Sequence, residues 1–172
     1  MIRRLLLAIA SFAAAATLVA MPRPAPAQFF GGAAIDNIKC ESMEGAAQHI
    51  HSHLALYQNG RAVTIPSNVG IPAGLGCLYW VHTHSNDGLI HIEAPVTRAF
   101  TLGDFFDIWG KDLTPWAADG VRAAKGARLT VTVNGKPYAG DPRRIVLADR
   151  QEILIAAGAP PVHPGTYQWK NF

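Results

Sequence analysis

Residues 49–60, HIHSHLALYQNG, alternate strictly and then stop at Asn59-Gly60, and no other stretch limits the fold so tightly. A period of two sends successive side chains to opposite faces of a strand. Asn-Gly is the pair that best tolerates the left-handed backbone of a two-residue hairpin. The turn therefore predicts pairing of Gln58 with Arg61, Leu56 with Val63 and Leu54 with Ile65. Ile50, Leu54, Leu56, Val63 and Ile65 then share one face, and His49, His51, His53 and Tyr57 share the other.

A second segment repeats the pattern. YWVHTHSNDGLIHIE, residues 79–93, predicts strands around 77–84 and 89–94 joined through SNDG. If Asp87-Gly88 alone turns the chain, His84 faces His91 and His82 faces Glu93. If Ser85 to Gly88 is all loop, His82 faces His91. Both registers put His82, His84, His91 and Glu93 on one face, whereas an odd-length loop with a bulge would separate them. These two segments hold six of the chain's seven histidines.

The remaining elements set the fold class. PSNVGIPAGLG at 66–76 is a Pro/Gly connection. In RAFTLGDFFDIWGKDL, Thr101 is an N-cap, Leu102, Phe105, Phe106 and Trp109 recur at helical spacing, and Gly110 ends the helix. Residues 114–127, rich in Ala and Gly, read as a loop or a weak helix. RLTVTVNGKPY is a hairpin about Asn134-Gly135, and RRIVLADRQEILIAAG reads as two short strands around a polar turn at Asp149 to Gln151. The Pro-rich tail from Ala159 is expected to wrap the surface. Strands, one main helix and then strands give an α+β fold, mostly antiparallel and β-grasp-like, with a small β-sandwich or a cupin-like barrel as rivals.

The N-terminus speaks to compartment. Arg3 and Arg4 precede an uncharged apolar run from Leu5 to Ala20, and MPRPAPAQ supplies an A-x-A cleavage site at Ala25 and Ala27. Residues 1–27 are expected to be a signal peptide and 28–172 a single His-rich, β-rich domain, periplasmic or secreted, with no stable membrane insertion after cleavage. The leader holds three of the chain's 15 basic residues and no acid, which leaves twelve against 12 acidic residues. The isoelectric point near 9.1 is thus largely a property of the precursor, and it argues for no nucleic-acid partner. Two cysteines in an oxidising compartment favour a Cys40–Cys77 disulfide over free thiols or thiolate ligands.

Two histidines at i and i+2 of a strand lie about 6.5–7 Å apart, a spacing from which both imidazoles can converge on one ion. His49, His51, His53, His82, His84 and His91 are the candidate metal ligands, with Glu93 orienting a ligand from behind. The donor set favours copper or zinc, and iron, through a triad of His82, His91 and Glu93, ranks behind them. A histidine network without metal and a pH-responsive cluster are the other readings of this face. With an open coordination position the site would be that of a metalloenzyme for copper- or zinc-dependent oxidation or hydrolysis, with Glu93 or Asp87 as general base. A non-catalytic envelope interaction domain is the third possibility.

The blocks HIHSHL, HTH, GLIHIE and TLGDFFDIWG, in this order across roughly residues 40–113, resemble a family of small bacterial exported proteins of uncharacterised activity. The resemblance implies that His49, His51, His53, His82, His84, His91 and Glu93 travel as one unit. It implies no particular reaction.

Overall fold

The computed structural model describes residues 32–159 and 166–169, so the expected signal peptide lies outside the described residues. Strand β1 is Cys40–Glu41, followed by the long strand β2, Gln48–Gln58, and β3, Arg61–Val63. Asn59 and Gly60 adopt φ of 51° and 78°, the left-handed turn expected of this pair. Gln58 pairs with Arg61 and Leu56 with Val63, in the register that the sequence predicts.

The second hairpin is broken into pieces. Leu78–Tyr79 forms β4, which pairs with β1, whereas Val81–His82 forms β5, which pairs with β6, Leu89–Ala94. His82 lies opposite His91, so the longer loop sets the register. Strand β6 also pairs with β2, placing His51 opposite His91 and His49 opposite Glu93. At Gly88 the turn reaches β2: the Leu54 amide donates to the Gly88 carbonyl at 2.9 Å. A Cβ at this position would stand 2.2 Å from the Leu54 carbonyl oxygen, and φ is +82°, so glycine is required twice over.

Helix α1, Leu102–Trp109, has the expected capping: Thr101 and Asp104 exchange side-chain-to-backbone bonds, and Gly110 closes the C-terminus at φ 70°. Two small strands follow, β7 (Ala117–Ala118) and β8 (Val121–Arg122), a hairpin where the sequence left loop and weak helix open. Strands β9 (Thr130–Val133) and β10 (Lys136–Pro137) form the second Asn-Gly hairpin. A 3-10 turn at Pro142–Arg144 leads to β11, Gln151–Ala157.

Only the second of the two strands expected in RRIVLADRQEILIAAG forms as a strand. Asp141 caps the 3-10 turn with Pro142 inside it, and the segment after it bonds to the helix entrance instead: Leu102 donates to the Ile145 carbonyl and Leu147 to that of Phe100. The main sheet runs β10-β9-β11-β2-β6-β5, with β3 beside β2. Its first long strand, β2, and its last, β11, are parallel neighbours at the centre, so the sheet is mixed. It stays open, which sets aside the barrel rival; the α+β class stands.

The apolar side of this sheet is the core. Leu54, Leu56, Ile90, Ile92, Ile153 and Ile155 are buried in one cluster with Phe100, Leu102, Phe105 and Phe106 from the helix region. Burying a side chain of this size is worth about 1.5–3 kcal/mol. The same alternation sends His49, His51, His53, His82, His91 and Glu93 to the opposite face. Cys40 and Cys77 form the expected disulfide, which ties β1 to the segment entering β4.

Candidate metal centre

Three adjacent strands bring three histidines into one row, His51 on β2, His91 on β6 and His82 on β5. Directly opposed residues in antiparallel strands have side chains within about 4.5–5.5 Å, so the rings must touch. His51 and His91 meet edge to face with centroids 4.6 Å apart, and His82 stacks on His91 at 5.4 Å. His84 lies just past the end of β5, exposed, with its Nε2 3.1 Å from His82 Nε2. His49 touches His51 at 5.0 Å and completes a continuous patch of five rings.

Glu93 sits in the middle of this patch with a side chain only 5% exposed. Its Oε1 is 3.1 Å from His49 Nε2 and 3.2 Å from His91 Nδ1, while Oε2 is 3.8 Å from His82 Nε2. Oε2 is buried and has no hydrogen-bond partner among the described residues. A buried carboxylate oxygen left in this state is costly in a protein interior and calls for a cation. Burial alone would raise the Glu93 pKa, but the hydrogen bond from His91 and the field of His82, His91 and His49 outweigh it and lower it to about 2. The residue is an anion at neutral pH.

His82 is oriented as metal-binding histidines are. Its Nδ1–H donates to the Tyr79 carbonyl at 2.8 Å, which leaves the Nε2 lone pair facing His84 and Glu93. Complete burial lowers its pKa to about 4, so the nitrogen is available as a ligand throughout the neutral range. His91 Nδ1 likewise donates to Glu93 Oε1, at 3.2 Å. Burial also lowers the pKa of His51.

Ligand atoms of His82, His84, His91 and Glu93 all lie within 4.8 Å of one another, and those of His49, His51 and Glu93 do the same. Around a tetrahedral ion with bonds near 2 Å, ligand atoms stand about 3.3 Å apart, so modest side-chain rotation closes either set. The donors are imidazole, a borderline ligand that suits zinc and copper(II), and a carboxylate, a harder ligand that zinc also takes.

His53 is drawn away from both sets. Its Nε2 bonds to the Asp87 carbonyl at 3.0 Å and its ring stacks on Tyr167 at 4.4 Å. Asp87 is occupied too, its carboxylate accepting from Ser85, the Leu89 amide and the Tyr167 hydroxyl. Burial would raise the Asp87 pKa, but these bonds lower it, and they hold the group in the turn and not against a ligand. Glu93, expected to act from behind a ligand, stands within ligand distance in both sets. Glu44, which the sequence reading did not single out, lies 3.5 Å from His84 Nε2. It belongs to an irregular segment with no periodicity to reveal its direction.

His49 and His51 open on a cleft of about 170 Å³ lined also by Asp149, Arg150 and Trp169. The backbone there is built by the turn that leads into β11: the Arg150 amide donates to the His51 carbonyl at 2.7 Å, and the His51 amide to Asp149 Oδ1 at 3.2 Å. Compared with known protein families, curated proteins and solved structures, the chain matches none.

Proposed function

We propose that this chain is an exported, periplasmic or secreted, transition-metal-binding protein whose ion, copper or zinc, is held by His82, His84, His91 and Glu93. The observation that carries the reading is the Glu93 carboxylate: buried, anionic, surrounded by imidazoles, and with Oε2 unbonded among the described residues. Iron is the less favoured ion, because three imidazoles here outnumber the carboxylate. Export is supported by the leader-like residues 1–27, by the resemblance to small exported proteins, and by the Cys40–Cys77 bond, which suits an oxidising compartment. Among the described residues no helix is long and apolar enough to cross a membrane. The β-grasp-like reading of the fold draws support from the parallel pairing of β2 with β11 and from the single helix between them.

A second reading, a metalloenzyme, is favoured by one feature: the cleft at His49 and His51 gives solvent and small molecules a route to the patch. An interaction domain with no metal predicts normal folding and partner binding in a metal-free protein. The deciding experiment is elemental analysis of protein purified without an affinity tag or chelator, beside the His82→Ala/His84→Ala variant. Near-stoichiometric copper or zinc in the first and its loss in the second is the expected result. Folded protein that neither carries metal nor takes up added Cu(II) or Zn(II) tightly would remove both metal readings.

A further inference from the structure

Five histidines and one carboxylate exceed the four positions of a tetrahedral ion, and the structure gathers them as two sets that share a single member, Glu93. We propose that Glu93 bridges two metal positions: an inner one held by His82, His84 and His91, and a second held by His49 and His51 that opens on the cleft. This inference rests on the metal-binding reading above and extends it from one ion to a pair.

Oε1 lies 3.1 Å from His49 Nε2, on the β2 side, and accepts from His91 Nδ1 at 3.2 Å, while Oε2 lies 3.8 Å from His82 Nε2, on the β5 side. Strand register makes this arrangement, because Glu93 is paired across to His49 while His91, two residues earlier, is paired to both His51 and His82. A carboxylate that presents one oxygen to each neighbour is the geometry that holds two ions about 3.5–4 Å apart.

Each position has one exposed imidazole, His84 at 45% and His49 at 55%, and the position at His49 and His51 borders the cleft with Asp149, Arg150 and Trp169. The inner ion has four protein ligands and the outer one three, so the outer ion keeps a position for water or a small ligand arriving through the cleft. The outer ion is accordingly the exchangeable one.

The test is a Cu(II) titration of protein expressed from the full-length sequence and stripped with chelator, read by elemental analysis and by electron paramagnetic resonance. The expected result is two ions per chain, with a resonance intensity well below that of two independent spins because the bridged ions couple. His49→Ala, the substitution least able to disturb the fold, should weaken the second equivalent at least about ten-fold and leave the first within about three-fold. In this variant the first equivalent should keep the full intensity of one isolated spin, whereas in the unchanged protein the intensity per ion should fall as the second equivalent is added. One ion per chain in both proteins, or two ions with the intensity of two independent spins, overturns the bridge while leaving the single-site reading intact. No ion in either protein removes that reading as well.

Discussion

At the scale of single residues, what separates the histidines is their hydrogen-bond partners. Nothing local distinguishes His51 from His53, yet one is packed against His91 while the other is bonded to Asp87 and covered by Tyr167. His82 draws its role from a carbonyl three residues back, that of Tyr79, which selects the tautomer. The metal-free protein should therefore be acid-sensitive in a defined direction. The folded-state pKa of His82 is lowered from 6.5 to about 4, mainly by burial, so the unfolded chain binds a proton there that the native chain refuses. Its contribution is complete above the unfolded value and is lost as pH falls toward 4. Glu93, lowered from 4.5 to about 2, acts in the same direction over the lower window. Denaturant midpoints measured in chelator should fall steadily from pH 7 to pH 4, and His82→Asn should flatten the upper part of that profile. A midpoint constant over this range would show that the imidazole is not held neutral by the fold.

At the scale of elements, the turns and caps were legible because their chemistry is local. Asn59-Gly60 and Asn134-Gly135 both turn as expected, and Thr101 caps α1 in a reciprocal pair with Asp104. Thr101→Ala removes the bond to the Asp104 amide and should cost about 1 kcal/mol in chemical denaturation, with metal content unchanged. A cost near zero would mean that packing of Phe105 and Phe106 alone orders the helix entrance. Where local signals were absent, the elements were not legible. Residues 114–127 carry too few large side chains to show a period, and their hairpin is fixed partly by the Arg122 amide donating to Gln58 on β2. Ile145 and Leu147 alternate like a strand, and both are buried, but their backbone partners lie at the start of the helix. Alternation reports which side chains are buried, and says nothing of which backbone they bond.

At the scale of the whole molecule, the disulfide and the central parallel pair hold the patch together. Cys40 and Cys77 are 37 residues apart and enclose all of β2, so reduction releases a loop containing three of the histidines. By loop entropy the bond is worth roughly 3–4 kcal/mol. Cys40→Ala/Cys77→Ala should lower the unfolding free energy by about that amount and weaken metal retention, as a chemical denaturation series would measure. An unchanged stability would place the 40–77 segment outside the cooperative unit.

The sequence alone determined the two-residue periodicity, and with it one face for His49, His51 and His53 and, in either even-length register, one face for His82, His84, His91 and Glu93, because the pleat of a strand is a local property. It also determined the register of the first hairpin and the limits of the helix, since turn and cap residues act over a few positions. Only the tertiary structure decided that β6 lies between β2 and β5, which turns separate histidine pairs into one patch. Only the tertiary structure decided that β11 runs parallel beside β2 and delivers Asp149 and Arg150 to the edge of the cleft. Strand neighbours are chosen by the burial of the whole apolar face, a sum over distant segments that no single window of the chain contains.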